Sequence, residues 1–366
     1  MALAGAPGRP AESVTVLGGG REAFPRMLEA IRGARQEILL EVYQFSRDGV
    51  GEEFRAALAG AAQRGVRVSV VLDGWGSALD GRWLQAMLQR DGCRVRIYNP
   101  LRSLVTGRFR RNHRKLLLVD GEVAFLGGIN ISDAFAGSGA GDGDPGWLDL
   151  ALEVRGPAVA WLERRLRGGG REPPPPGRVH IRLSGLGGAR PLRRRYRKAF
   201  GAARSEILAA HSYFIPDRRF VRSITAAARR GVKVTLLLAG RSDVPLARAA
   251  TRRLYRPLLA AGVDIREWTR SVHHAKVAVV DGTRLLVGSF NLDPLSLSNL
   301  ESLVEVEDAE VAGAVRRWIE TSLGDARRVE MADLARRPRV AAWAADALGL
   351  AVARSAEWVG RLLGRR

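Results

Sequence analysis

Cysteine is the rarest residue of this 366-residue chain, and lysine and methionine, at four each, come next. Its one cysteine, Cys93, rules out an internal disulfide framework and fits a reducing compartment. No stretch approaches the roughly 20 consecutive apolar residues of a membrane span. The opening MALAGAPGRPAES lacks the charged and apolar regions of a secretory signal. The glycine run Gly18-Gly19-Gly20 has no Lys-Ser/Thr after it, so it is a turn rather than a phosphate-binding loop. Acidic residues are also outnumbered, 38 against 59 basic, and the net charge is +21. Such a surface attracts polyanions, either nucleic acid or a leaflet of anionic lipid, and charge alone does not choose between them.

The scarce letters are not scattered. Of four lysines and five histidines, two of each fall in a segment that occurs twice: His113-Arg114-Lys115 followed by Asp120, and His274-Ala275-Lys276 followed by Asp281. Each copy reads H-x-K-x-x-x-x-D. Each has a glycine (Gly127, Gly288) fourteen residues after its histidine and an asparagine (Asn130, Asn291) seventeen after it. The repeat extends outwards. Ala34-Arg35-Gln36-Glu37-Ile38-Leu39 answers Ala203-Arg204-Ser205-Glu206-Ile207-Leu208, and the run from Gly65 to Leu72 answers that from Gly231 to Leu238. Between the copies, Gly168-Gly169-Gly170 and Pro173 to Pro176 make a linker, since four prolines cannot continue a helix or a central strand.

Within each half, helical and strand patterns alternate, which predicts an α/β fold class with the layered unit present twice. Residues 53–64 have helical spacing and stop before Gly65. Residues 66–72 read as a strand buried on both faces. Ala136 to Gly146, rich in Gly and Asp, predicts a loop. The expected organisation is a first lobe over 1–166, a linker over 167–178, a second lobe over 179–330 and a basic amphipathic tail over 331–366.

Asp120-Gly121 and Asp281-Gly282 each sit between apolar runs and predict two-residue hairpin turns. That register sets His113 opposite Gly128 and His274 opposite Ser289, small residues that leave room for a ligand. Side chains two apart share a strand face, so His113 joins Lys115 and His274 joins Lys276, with Asn130 and Asn291 alongside. Imidazole, ammonium and carboxamide are a poor metal set. They suit a phosphodiester, whose non-bridging oxygens Lys and Asn bind. One imidazole then attacks phosphorus while the other protonates the leaving oxygen. Asp120 and Asp281 complete the motif's catalytic set, although at a turn they read as structural. His273 and His211 read as packing residues, and Glu41 as either a paired core acid or a group near the site.

The paired motif resembles the signature of the phospholipase D superfamily, and the likeness runs over roughly residues 14 to 325. His274 to Gly282, Val287 to Ser296, Phe109 to Lys115, Leu72 to Ser77 and Tyr213 to Asp217 look like bacterial cardiolipin synthases, closest to the shorter ones without an N-terminal membrane-spanning pair. The resemblance implies two phospholipase D-like α/β lobes, each a mixed β-sheet flanked by helices, related by a pseudo-twofold axis. It implies a phosphatidyl group carried on one histidine and passed to an alcohol, with His113 as nucleophile and His274 as acid and then base, or the reverse. Asp149 and Glu301 fall where a histidine-orienting carboxylate is expected. Gly128 departs from Ser289, so any hydroxyl contact there is one-sided.

No metal or organic cofactor is implied. The expected substrates are phospholipids, namely phosphatidylglycerol or phosphatidylethanolamine, with glycerol or a second lipid as acceptor. The alternatives are a phospholipase D-type hydrolase and, less favoured, a nuclease; no nucleic-acid partner is expected. The expected place is the cytoplasmic face of a bacterial inner membrane, held peripherally on anionic lipid. The segment Leu101 to Arg111 and the stretch Val340 to Arg366, with Trp343 and Trp358 flanking a stripe of Leu348, Val352, Val359 and Leu363, are the candidate membrane contacts.

Overall fold

The computed structural model describes residues 12–100, 110–137, 145–168 and 173–335. Of the expected membrane contacts, 340–366 and all but the last two residues of 101–111 lie outside the described residues, as does most of the expected loop at 136–146.

Short apolar runs form two sheets. The first holds β1 (Ser13–Leu17), β2 (Glu37–Val42), β3 (Arg67–Asp73), β4 (Arg94–Tyr98), β5 (Leu116–Val119), β6 (Val123–Gly127) and β7 (Ala151–Arg155). The second holds β8 (Val179–Leu183), β9 (Glu206–His211), β10 (Lys233–Ala239), β11 (Asp264–Trp268), β12 (Lys276–Val280), β13 (Arg284–Gly288), β14 (Ser302–Glu307) and β15 (Arg327–Arg328). The strand order β4-β3-β2-β5-β6-β7-β1 recurs as β11-β10-β9-β12-β13-β14-β8, with β15 added beside β11. In each sheet the first three strands of that order are parallel and the rest antiparallel. The fold is therefore two mixed α/β layers built on one plan.

The two sheets pack face to face. Leu116, Leu118, Leu126 and Leu152 from the first meet Leu208, Ala210, Val277 and Val304 from the second in one apolar core. Helices cover the outer faces, so β5, β6, β12 and most of β13 are buried throughout. β3, expected to be buried on both faces, leaves Arg67, Ser69 and Val71 partly exposed, whereas its counterpart β10 is buried from Val234 to Ala239. The helix expected at 53–64 spans Gly49–Gln63, because the Asp48 side chain caps it by accepting from Gly51 N at 2.9 Å.

The hairpins correct the expected register. Asp120 and Gly121 (φ 53° and 67°), like Asp281 and Gly282 (52° and 68°), do form left-handed turns. In each, however, one further residue, Glu122 or Thr283, stays outside the ladder, which resumes at Val119↔Val123 and Val280↔Arg284. This bulge slides the partner strand by one residue, so Gly128 and Ser289 are not the residues opposite the histidines. For the aspartates the structural reading holds rather than the catalytic one. Asp120 accepts the backbone N–H groups of Arg35, Gln36 and Glu37, each at 2.8 Å. Asp281 accepts those of Arg204, Ser205 and Glu206 at 2.8 to 3.1 Å. They tie each turn to the start of β2 or β9, the strand that pairs antiparallel with the hairpin, at the far end of the hairpin from the histidine. Their role is to hold the hairpin rather than to react.

Candidate active site

His113 and His274 lie just before β5 and β12, at the sheet edge where β2, β3, β9 and β10 end. Each is anchored across the lobe boundary by its own backbone. His113 N donates to Leu300 O at 2.9 Å and His274 N to Leu148 O at 2.8 Å. This matched pair of crossings brings both imidazoles, with Asn130 and Asn291, to the wall of one cavity of about 320 Å³.

The orienting carboxylates are exchanged between lobes. His113 Nδ1 lies 3.1 Å from Glu301 Oε2, and His274 Nδ1 lies 2.6 Å from Asp149 Oδ2. His113 Nδ1 is also 3.1 Å from Ser289 O. His113 Nδ1 thus faces two oxygen acceptors and carries the proton. His274 Nδ1 also has Lys276 Nζ at 3.0 Å, but its closer neighbour is the Asp149 carboxylate at 2.6 Å, which puts the proton on Nδ1 there too. Each Nε2 lone pair is left as the reactive atom. Gly128 and Ser289, expected to bind substrate phosphate, serve these carboxylates instead. Ser289 Oγ donates to Glu301, whereas a Cβ on Gly128 would stand 2.2 Å from Asp149 Oδ1. The one-sided hydroxyl is thus real, but it acts behind the histidine.

Burial first, then the positive charge of both motif lysines, holds His113 and His274 well below the ordinary imidazole range, so both are neutral. Burial raises Glu301 to about 7 and Asp149 to about 6, against the pull of the lysines. Burial lowers Lys115 to about 7, helped by repulsion from Lys276, and lowers Lys276 to about 8. Neither motif lysine is among the residues that line the cavity, and each turns back towards its own histidine. Lys115 Nζ donates to His113 O at 2.9 Å, and Lys276 Nζ donates to His274 O. Their charge acts on both histidines from behind them.

The asparagines are held by their carboxamide oxygens. Asn130 Oδ1 accepts from Gln44 N at 3.2 Å, and Asn291 Oδ1 from Ser212 Oγ at 3.0 Å. Each amide nitrogen is left as the donor that the residue can offer the cavity. Glu41 proves to be a paired acid, bound by Asn112 at 2.9 Å and Arg114 at 3.3 Å. His211 and His273 are fully buried outside the cavity lining and are held neutral, near 3, chiefly by burial.

Several wall residues had no role in the sequence reading. Tyr43 packs edge-on against His113 at 4.8 Å, and Trp147 flanks His274 at 5.6 Å. Tyr213 Oη donates to Asp243, whose carboxylate oxygens stand 2.6 and 2.7 Å away. Asp293, raised to about 6 by burial, shares the wall. The signal for Tyr213 was its place in the stretch that follows β9; Asp243 has no motif around it and only the fold finds it. Ile215, Val244, Leu246 and Leu295 line the same cavity, so a charged and hydrogen-bonding floor meets an apolar side.

The family described as "Cardiolipin synthase, PLD-like domain" matches residues 27–136 and 196–323, one segment in each lobe. Cardiolipin synthase B of Escherichia coli is 35% identical over 325 residues, covering 82% of this chain and 78% of its own. Cardiolipin synthase 1 of Bacillus cereus is 29% identical over 346 residues, covering 86% and 67%. Among solved structures, phosphatidylserine synthase of Haemophilus influenzae superposes with a TM-score of 0.73 at 15% identity, over 93% of this chain and 94% of its own, which is a likeness of fold. With both motif segments inside the matched regions, the chain belongs to the phospholipase D-like cardiolipin synthase family.

Proposed function

We propose that this chain is a phosphatidyltransferase that makes cardiolipin or a close relative from phosphatidylglycerol. The observation that carries the reading is the pair of neutral imidazoles, each backed at Nδ1 by a carboxylate of the other lobe, on one partly apolar cavity. Nε2 of one histidine attacks the donor phosphorus as the P–O bond to the leaving glycerol breaks. The other histidine, protonated, gives its Nε2 proton to that oxygen. A phosphatidyl group is then held through a P–N bond. The acceptor hydroxyl next yields its proton to the second histidine and attacks phosphorus, which breaks the P–N bond and restores the first. An anionic phosphodiester between the imidazoles offsets the burial and lysine charge that keep them neutral, so one can take up the proton it must donate. The apolar side formed by Ile215, Val244 and Leu246 favours a lipid over a nucleic-acid strand.

The substrate surface is a membrane of anionic phospholipid, met peripherally on its cytoplasmic face. No helix among the described residues is long and apolar enough to cross a membrane. Purified protein given phosphatidylglycerol vesicles should yield cardiolipin and free glycerol without added metal. Phosphatidic acid as sole product would instead make water the acceptor, and turnover of nucleic acid alone would end the lipid reading.

The site's titration predicts a narrow pH optimum. Asp149 (about 6) and Glu301 (about 7) must be ionised to hold the Nδ1 protons, so kcat/KM should climb as pH rises through 6 to 7. Lys115 loses its proton near 7 and Lys276 near 8, so activity should fall again as pH rises from about 7 through 8. A profile flat from about pH 5 to 9 is incompatible with this electrostatic arrangement.

A further inference from the structure

Seven large apolar side chains are exposed among the described residues, and six of them, Trp75, Leu79, Leu186, Val244, Leu246 and Leu295, follow the ends of strands at one edge of the molecule. Trp75 and Leu79 come after β3, Leu186 after β8, Val244 and Leu246 after β10, and Leu295 after β13. Strand directions place all these ends at the histidine edge. The seventh, Met331, follows β15, which runs antiparallel to β11, and so lies at the opposite edge. Chance scatter of surface hydrophobics would not be so one-sided, and a clustered apolar rim marks an interaction surface.

We propose that this rim is the face the protein inserts into an anionic bilayer, seating the cavity mouth on its lipid substrate. The proposal rests on the lipid reading above and adds which surface meets the membrane. Two observations choose a bilayer as occupant. First, the rim is continuous with the cavity, since Trp75, Val244, Leu246 and Leu295 also line it. A lipid drawn from a bilayer can therefore slide its headgroup to the histidines while its chains stay against apolar surface. Second, exposed arginines ring the same edge: Arg47 after β2, Arg82 opening the helix after β3, Arg218 and Arg219 after β9, and Arg241 after β10. An apolar patch bordered by guanidinium groups matches an acyl boundary beneath phosphate headgroups. Leu79 is 96% exposed and Leu186 70% exposed, and neither lines the cavity, so they report on docking alone.

The test pairs the Leu79→Asp/Leu186→Asp double variant with Met331→Asp as control. Each is measured for sedimentation with vesicles of equal parts phosphatidylglycerol and phosphatidylcholine, and for turnover. Vesicle binding and vesicle turnover should fall about tenfold or more in the double variant. Turnover of monomeric dihexanoyl phosphatidylglycerol should stay within about twofold, and Met331→Asp should match the parent throughout. Unchanged vesicle binding, or an equal loss in Met331→Asp, overturns the proposal. So does unchanged vesicle binding accompanied by loss of self-association in sedimentation velocity, which would make the rim a contact between copies. The parent's action on the monomeric lipid keeps the readings apart: if it forms no transfer product there, the catalytic reading fails whatever the vesicles show.

Discussion

Alanine in place of His113 or His274 is expected to lower kcat/KM by roughly 10,000-fold or more, with the fold intact by circular dichroism. Both imidazoles share one cavity, and each is the group there whose Nδ1 is backed by a carboxylate of the other lobe. The two losses should differ in kind. A phosphodiester with a nitrophenol leaving group departs without help from an acid. The variant lacking the acid should therefore still release a burst of nitrophenol and trap the covalent adduct, while the variant lacking the nucleophile shows no burst. Rapid-mix absorbance on the two variants assigns the roles that the symmetric motif leaves open. Bursts from both would end the two-histidine mechanism.

The second large effect concerns the exchanged carboxylates. Asp149→Asn and Glu301→Gln should each cost about 100- to 10,000-fold, because an amide can offer its N–H to Nδ1 and favour the wrong tautomer. The informative part is the pairing. Asp149 lies in the first lobe but touches His274, and Glu301 lies in the second but touches His113. On the nitrophenyl substrate, Asp149→Asn should therefore behave as His274→Ala does, and Glu301→Gln as His113→Ala does. If each carboxylate variant instead resembled loss of the histidine in its own lobe, the exchange seen in the structure would be wrong.

Much of this was legible in the residues. Scarcity made the repeated H-x-K-x-x-x-x-D visible, because lysine and histidine are rare here and concentrated in two matched places. Apolar runs at 116–119 and 277–280 located β5 and β12 to within a residue, since a fully buried strand leaves an unbroken apolar signature. The hairpin register was less legible. A two-residue turn and the same turn followed by a bulge share Asp-Gly, and what separates them is the pairing of the next residue, Glu122 or Thr283. That one-residue slip is why Gly128 and Ser289 read as facing the substrate, when Ser289 holds Glu301 and Gly128 leaves room for Asp149. The strand face that carries the lysines was readable, whereas the rotamers that carry Nζ back to the histidine carbonyls were not.

The sequence by itself determined the chemistry: which side chains occur twice, that they come as imidazole, ammonium and carboxamide, and that two like α/β halves carry them. Those properties follow from spacing along one strand or hairpin, where geometry is nearly fixed by the covalent chain. Only the tertiary structure decided which carboxylate backs which histidine, across separations of 188 and 125 residues. It also decided that Asp243 and Tyr213 share their wall and that the exposed apolar residues gather at one edge. Those relations depend on how two sheets stack face to face, and local periodicity carries no record of that packing.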